Sequence, residues 1–309
     1  MLTVLFAAGA SRWPDYEAPL TEALAEAGIN ARLVTDAAPE EVDYIVFAPG
    51  GTIKDFRPYS RAKAVLNLWA GVEAIVSNTT LTQPLCRMVD PALTRGMIEY
   101  VTGHVLRHHL GMDAHIRGLK GEWRQDVPPL ASERPVTILG LGELGQACGM
   151  ALVDLGFPVT GWSRSRKSAP GILCQSGDDG LHAALSTAQI LVTLLPRTPD
   201  TENLLNAARL AVLPKGAVII NPGRGALIDD DALIAALDND HLGHATLDVF
   251  RQEPLPADHI YWTHPKVTVT PHIAAETRPA SAARVVVENI RRGEAGEPFL
   301  HLVDRGAGY

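Results

Sequence analysis

Residues 136–163 read VTILGLGELGQACGMALVDLGFPVTGWS: an apolar β-favouring run, three spaced glycines, a helix-favouring stretch and a second β-rich run. A strand that turns tightly into a helix and then returns to the sheet re-enters it parallel to the first strand, because the helix carries the chain back along the sheet. Parallel sheets are covered on both faces, so their strands read as short, nearly continuous apolar runs. The segments 189–196 (QILVTLLP), 217–223 (AVIINPG), 245–250 (ATLDVF) and 266–271 (KVTVTP) read the same way. Between them lie helix formers such as DDDALIAALDND (229–240), with acids in the first turn. Six such strands with crossovers predict a doubly wound sheet.

The N-terminal hundred residues alternate similarly. Strands are expected at 2–8, 31–36, 43–49 and 63–71, with a helix over 19–28 that ends at Gly28. A long helix is expected from Pro91 to about Leu110, and a polar loop over 120–135. The last helix is expected from about Arg278 to Arg292, stopped by Gly293. The fold class is therefore α/β with two doubly wound parallel-sheet domains, and 309 residues suffice for both.

A formal charge of −8 makes the molecule repel polyanions, which argues against nucleic acid or an anionic membrane surface as partner. Cys86, Cys148 and Cys174 are odd in number, with no zinc spacing, which fits a reducing cytoplasm; no metal is expected. The first residues lack a basic n-region, and their apolar run is too short for a signal sequence or a membrane span.

GLGELG places Gly140, Gly142 and Gly145 at G-x-G-x-x-G spacing between a strand and a helix. In that context the first glycine serves a tight turn, the second a close backbone approach to a pyrophosphate, and the third close helix–strand packing. The helix N-terminus, at Glu143 and Leu144, offers N–H groups to the anion. About 20 residues on, an acid would hold a ribose 2′-hydroxyl and repel a 2′-phosphate. This chain has Ser163 there, then Arg164, Ser165, Arg166 and Lys167. Serine removes the repulsion, and the two guanidinium groups suit phosphate oxygens. NADPH is expected, with NADH weaker.

Three later motifs each carry one ionisable group at or just after a strand end: Arg224 in NPGRGALID, Glu253 in LDVFRQEPLP and His272 in TPHIAAET. Carboxyl ends of parallel strands are where open α/β sheets bind ligands. Singly each residue reads as a surface charge or a packed histidine. Together, behind a nucleotide motif, they suit a 2-keto acid: Arg224 holds its carboxylate and ketone, His272 protonates the oxygen, and Glu253 orients the imidazole and favours its charged form.

With those residues in place the chain resembles the D-2-hydroxyacid dehydrogenase family, closest to its glyoxylate- and hydroxypyruvate-reducing branch. The matching stretches are NLWAGV, ILGLGELGQ, GWSRSRK, LLPRTPDT, NPGRGALID, LDVFRQEPLP and TPHIAAET. They cover most of the chain from Asn67 onward. The resemblance implies a Rossmann nucleotide domain over 98–274 and a discontinuous, flavodoxin-like substrate domain from 1–97 and 275–309. It also implies that Arg224, Glu253 and His272 are catalytic, and that the backbone of Ala70, Gly71 and Val72, beside Trp69, cups the substrate carboxylate. Leu195, Pro196 and Pro222 would line the cofactor, Asp248 would bond its carboxamide, and two copies would pair through the nucleotide domain. Ser163 departs from the acid of the NAD-using relatives.

The activity expected is NADPH-dependent reduction of glyoxylate to glycolate and hydroxypyruvate to glycerate. A broader 2-keto acid reductase is the alternative within the family. A non-catalytic NAD(P)-sensing protein on the same scaffold is the alternative outside it; retention of all three ionisable types argues against that. A methyltransferase leaves the basic cluster and the Arg–Glu–His set unexplained. His104 and His108 share a helix face, but Val105 replaces the Glu of a zinc hydrolase, so a partly exposed or interface pair is expected. Arg57 and Trp262 are further candidates for substrate contact.

Overall fold

The computed structural model describes residues 1–306 and 308. The chain divides into two compact units, Met1–Leu93 with Glu276–Tyr309, and Thr94–Ala275.

In the first unit, strands β1 (Leu2–Ala7), β2 (Ala31–Val34), β3 (Tyr44–Phe47), β4 (Ala64–Asn67) and β5 (Leu85–Cys86) form one parallel sheet in the order β2-β1-β3-β4-β5. Side chains alternate across a strand. Accordingly Val4 and Phe6 pack into one layer with Leu20, Leu24, Val286 and Ile290, whereas Leu5 and Ala7 pack into the opposite layer with Phe56, Ile75 and Leu81. Both faces are thus covered. Helix α1 (Trp13–Glu26) begins six residues before the expected start and keeps Pro19 inside it. Its buried stripe of Tyr16, Leu20, Ala23 and Leu24 explains why: burial of that face outweighs the hydrogen bond that proline removes. The C-terminal helix (Pro279–Ala295) runs past Gly293 and ends at Gly296, whose φ is 69°. Gly293 is glycine for another reason, since a Cβ there would stand 2.2 Å from the Tyr44 hydroxyl.

The second unit has seven parallel strands, one more than expected: β6 (Val136–Leu139), β7 (Val159–Ser163), β8 (Ile172–Ser176), β9 (Ile190–Thr193), β10 (Ala217–Asn221), β11 (Leu242–Leu247) and β12 (Val267–Val269). Their order is β12-β11-β10-β9-β6-β7-β8. The extra strand, β8, lies at the edge of the sheet and exposes Leu173, so it lacks the continuous apolar run that marks the central strands. Helices α2 (Pro91–His109), α3 (Met112–Ile116), α4 (Glu143–Asp154), α5 (Gly177–Ser186), α6 (Ala207–Leu210) and α7 (Asp230–Asp238) complete the helical set up to Ala275. The Asp229 side chain caps α7 by accepting from the Ala232 N–H at 3.1 Å. Counted along this unit, Arg224 follows the fifth strand, Glu253 the sixth and His272 the seventh, each one later than expected because β8 intervenes.

Candidate active site

The three glycines of the strand–helix turn do three different things. Gly140 has φ 108°, and a Cβ on it would stand 2.7 Å from the Leu194 carbonyl oxygen. Gly145, in the first turn of α4, would drive a Cβ to 1.7 Å from the Gly140 oxygen, so only glycine lets the helix lie this close to its strand. At Gly142, the N-cap of α4, nothing lies within 4 Å of the Cβ position. Backbone is therefore open to an approaching group beside Glu143 and Leu144, whose N–H groups have no partner within the helix. This cradle fits a pyrophosphate.

Ser163 ends β7 and is buried, with its hydroxyl donating to the Ser165 carbonyl at 2.7 Å. Arg164, Ser165, Arg166 and Lys167 follow as an exposed loop, and Arg164 lies 3.8 Å from Asp200. No acid occupies the strand end. Leu195, whose backbone nitrogen would stand 3.0 Å from a Cβ on Gly140, and Pro196 follow β9 beside the glycine turn.

From there the carboxyl edge of the sheet is linked strand to strand. The Thr193 hydroxyl donates to Asn221 Oδ1 at 2.6 Å, and Asn221 Nδ2 donates to the Arg224 carbonyl at 3.1 Å, across buried Pro222. A Cβ on Gly225 would stand 2.0 Å from the Phe250 carbonyl carbon, so the loops after β10 and β11 are in tight contact. Glu253 uses both oxygens: Oε1 accepts from the Phe250 N–H at 2.9 Å, and Oε2 meets His272 Nδ1 at 2.7 Å. His272 stays half exposed. A ring nitrogen held against a carboxylate fixes the imidazole plane and directs Nε2 the other way. Arg224 is half-buried, with Nη1 donating to the Gly223 carbonyl at 2.7 Å.

The backbone of His272 has φ 54°, a left-handed conformation uncommon for a residue with a side chain. Asp248, fully buried, holds it there. Its carbonyl accepts from the His272 N–H at 2.9 Å, its Oδ1 from the Ile273 N–H at 2.9 Å, and its Oδ2 from the Ala274 N–H at 3.0 Å. Thr270 donates its hydroxyl to Oδ1 at 2.6 Å. A threonine hydroxyl has one proton, so at the 2.7 Å contact between Thr270 Oγ1 and the Tyr100 hydroxyl, Tyr100 is the donor. Burial pushes the Tyr100 hydroxyl well above its usual pKa, which keeps it protonated. Tyr100, Thr270 and Asn221 were not singled out in the sequence. The one available signal was a hydroxyl directly before the Pro-His pair.

The first unit carries the loop of Trp69, Ala70, Gly71 and Val72 after β4. Asn67 Nδ2 donates to the Trp69 carbonyl at 2.8 Å and to the Gly71 carbonyl at 3.0 Å. In a trans peptide the following N–H points opposite the carbonyl. Ala70 and Val72 therefore turn their N–H groups away from Asn67, and among the described residues neither finds a protein acceptor. Paired outward N–H groups of this kind suit a carboxylate.

Other candidates resolve differently. His108 and His104 do share a face of α2, but His108 Nε2 pairs with Thr246 Oγ1 at 2.9 Å while the His104 ring packs on Tyr100. Among the described residues no group of three or more His, Cys, Asp or Glu could hold a metal. Arg57 chelates Asp55 on the surface, and the Trp262 indole donates to the Pro256 carbonyl at 2.9 Å. No helix among the described residues is long and apolar enough to cross a membrane.

Comparison with known proteins bears on the family and the fold. A family model described as "D-isomer specific 2-hydroxyacid dehydrogenase, NAD binding domain" matches residues 102–274. Glyoxylate/hydroxypyruvate reductase A of Salmonella newport is 41% identical over 258 residues, covering 81% of this chain and 82% of that protein. A D-isomer specific 2-hydroxyacid dehydrogenase from Xanthobacter autotrophicus, solved in complex with NADPH and MES, superposes with a TM-score of 0.93 at 39% identity, over 99% of both chains. An NADPH-dependent glyoxylate/hydroxypyruvate reductase from Sinorhizobium meliloti, in complex with NADP and sulfate, gives 0.84 at 35% identity over 100% of both. With its two parallel sheets and a matching nucleotide-binding segment longer than half its length, the chain belongs to the D-isomer specific 2-hydroxyacid dehydrogenase family.

Proposed function

We propose that this protein is an NADPH-dependent reductase of small 2-keto acids, glyoxylate and hydroxypyruvate foremost. The observation that carries the reading is the His272–Glu253 pair at 2.7 Å, set on the same strand edge as Arg224 and the glycine turn. Two of the relatives named above are glyoxylate/hydroxypyruvate reductases, and two were solved with NADPH or NADP.

When bound, the nicotinamide supplies a hydride to the keto carbon. Arg224 holds the carboxylate and carbonyl of the substrate, with the N–H groups of Ala70, Gly71 and Val72 as further carboxylate donors. His272 delivers a proton from Nε2 to the carbonyl oxygen, so ketone, hydride and proton make the alcohol. Glu253 positions that ring through Nδ1. Ser163 leaves room for a 2′-phosphate, and Arg164 and Arg166 bind it. Leu195, Pro196 and Pro222 line the cofactor, and Asp248 adds a bond to its carboxamide. Residues 110–130 expose Ile116, Trp123, Val127 and Leu130, an apolar surface suited to a second copy of this chain and hence to a homodimer. The three free cysteines suit a reducing cytoplasm.

The test is loss of nicotinamide absorbance with NADPH or NADH across a panel of keto acids. His272→Ala should lower turnover by about 10²–10⁴-fold with NADPH affinity nearly unchanged. Near-normal turnover would reject the proton-donor role, and a strong preference for NADH would reject the 2′-phosphate site.

A further inference from the structure

The second unit holds a cation that the proposed chemistry does not use. Arg251 lies inside the turn after β11 that Glu253 closes by accepting from the Phe250 N–H. Its side chain is only 32% exposed. Nη2 carries two N–H groups, and both are engaged: one donates to the Ile228 carbonyl at 2.5 Å, the other to Asn203 Oδ1. The same nitrogen comes within 3.5 Å of the Ala226 carbonyl. Nε lies 3.4 Å from Asp230 Oδ2, and Nη1 lies 3.7 Å from Glu202 Oε1.

Those partners belong to the loop that carries Arg224. From Arg224 the chain enters one short turn of helix (Gly225–Leu227), and the Leu227 N–H donates back to the Arg224 carbonyl at 3.2 Å. Ala226, Leu227 and Ile228 are buried. The segment around Asn203 runs alongside, with the Asn203 N–H donating to the Ala226 carbonyl at 2.8 Å and the Leu205 N–H to the Leu227 carbonyl at 2.9 Å. One guanidinium thus gathers the turn of Glu253, the turn after Arg224 and the segment of Asn203.

Contact and tether act in opposite directions here. At Gly225 the two loops already touch, so repulsion sets how closely they approach. Arg251 sets how far they part, because its bonds to the Ile228 carbonyl and Asn203 stretch if they separate. Ion pairs at partly exposed acids add little, so the grip comes from the charge-assisted bonds to those two oxygens. A lysine has no planar fork with which to hold both oxygens and face two carboxylates at once.

We infer that Arg251 is a positioning residue for keto-acid reduction: it fixes the spacing of Arg224 from the Glu253–His272 pair by tying their loops together. The inference rests on the keto-acid reading above. There Arg224 holds the carboxylate and carbonyl of the substrate while His272 delivers its proton to that same carbonyl oxygen, so the two side chains must keep one spacing. A misplacement of about 1 Å at such a pair costs on the order of 10²-fold in rate. Arg251 itself touches neither substrate nor cofactor in this reading and acts through the backbone it holds.

The variants are Arg251→Met and Arg251→Lys, assayed with glyoxylate and NADPH. Fluorescence titration with NADPH counts the folded sites and gives the cofactor affinity. Arg251→Met should lower kcat/KM per NADPH-binding site by about tenfold or more and raise KM for glyoxylate, with NADPH affinity nearly unchanged. Arg251→Lys should show the same changes to a smaller extent, and it keeps the measurement decisive if methionine prevents folding. A smaller folded fraction alone lowers apparent kcat and leaves KM where it was. Wild-type KM and kcat/KM per site in either variant, or a fall in NADPH affinity as large as the fall in kcat/KM, overturns the inference while glyoxylate turnover by the wild type leaves the reductase reading intact. A wild type inert toward every keto acid overturns both.

Discussion

Thr270→Val tests whether the left-handed turn at His272 is held by the buried chain from Tyr100 to Asp248. Valine keeps the shape of threonine and removes one oxygen. Two bonds disappear: the 2.6 Å donation to a fully buried carboxylate and the 2.7 Å acceptance from Tyr100. The first is a hydrogen bond to a charged group, worth ~1.5–3 kcal/mol, and the second leaves a buried hydroxyl unpaired at a cost of ~1–3 kcal/mol. The sum is about 2.5–6 kcal/mol of stability, read as a shift in the denaturant midpoint at constant slope. Tyr100→Phe alone removes only a donor and should cost about 1 kcal/mol. Once valine is in place the tyrosine hydroxyl is a liability, so the double variant should be at least as stable as Thr270→Val. The non-additivity is the measurement, expected at ~1 kcal/mol or more. Turnover should fall with NADPH affinity little changed, because Asp248 then grips the Ile273 and Ala274 N–H groups with less support, and Thr270→Ser should restore it. Additive costs, or full turnover in Thr270→Val, would refute the reasoning.

Stability should also depend on pH through two packed histidines. Burial, with the charges of His244 and Arg107 adding to it, pushes His108 down to about 3; burial likewise pushes His244 down to about 4 against the opposing pull of Asp113. The unfolded chain then takes up protons that the folded chain refuses, so this stability is complete above the ordinary imidazole value of about 6.5 and is lost as pH falls from there toward about 4. The limiting slope for two protons is ~2.7 kcal/mol per pH unit; a denaturation midpoint unchanged between about pH 7 and about pH 5 would refute it. Gly142→Ala should leave stability nearly intact and weaken NADPH binding measured by titration, since its Cβ enters open space at the helix N-terminus, whereas Gly145→Ala should destabilise the fold itself by forcing a 1.7 Å contact. Arg164→Asp should raise KM for NADPH by about tenfold or more and leave NADH use nearly unchanged; equal losses would remove Arg164 from the 2′-phosphate site. Trp123→Asp places a charge on a side chain that is 90% exposed and should convert the proposed dimer to monomer in sedimentation, with an unaltered mass ruling out that surface.

The strands that were legible in the sequence are those buried on both faces. Residues 136–139 and 217–221 are buried throughout and mostly apolar because neighbours cover them above and below. β8 escaped notice because an edge strand has a wet side, and Leu173 there is exposed while Ile172 packs inward. Helix ends depart from the expected positions for a related reason. Pro19 and Gly293 carry strong local preferences for a helix start and a helix stop. Tertiary contacts overrule both: the Tyr16–Leu20 stripe drives α1 to begin earlier, and Gly293 is glycine because Tyr44, far away in sequence, comes within a Cβ's reach. Local propensity describes the isolated chain; the packed neighbour decides.

The site divides along the same line. Arg224, Glu253 and His272 could be picked out as candidates because ionisable groups at strand ends are costly unless they face solvent or a ligand, so their positions carry information. The groups that hold them are neutral hydroxyls, amides and backbone atoms, which look ordinary wherever they occur. Tyr100 lies 170 residues before Thr270, and only the folded chain shows that its hydroxyl completes the set around Asp248. Asp248 was legible as a polar residue in a strand-end motif, and the resemblance gave it a task toward the cofactor. The structure adds a second task, since its carboxylate and carbonyl fasten three consecutive N–H groups that include the one on His272. A side chain that fastens the loop of His272 and, as proposed, also bonds the cofactor cannot be changed for one purpose without disturbing the other. Asp248→Asn should therefore lower NADPH affinity and turnover together, since an amide nitrogen in place of Oδ1 or Oδ2 would face an N–H donor. Thr270→Val leaves the carboxylate in place and should separate the two effects.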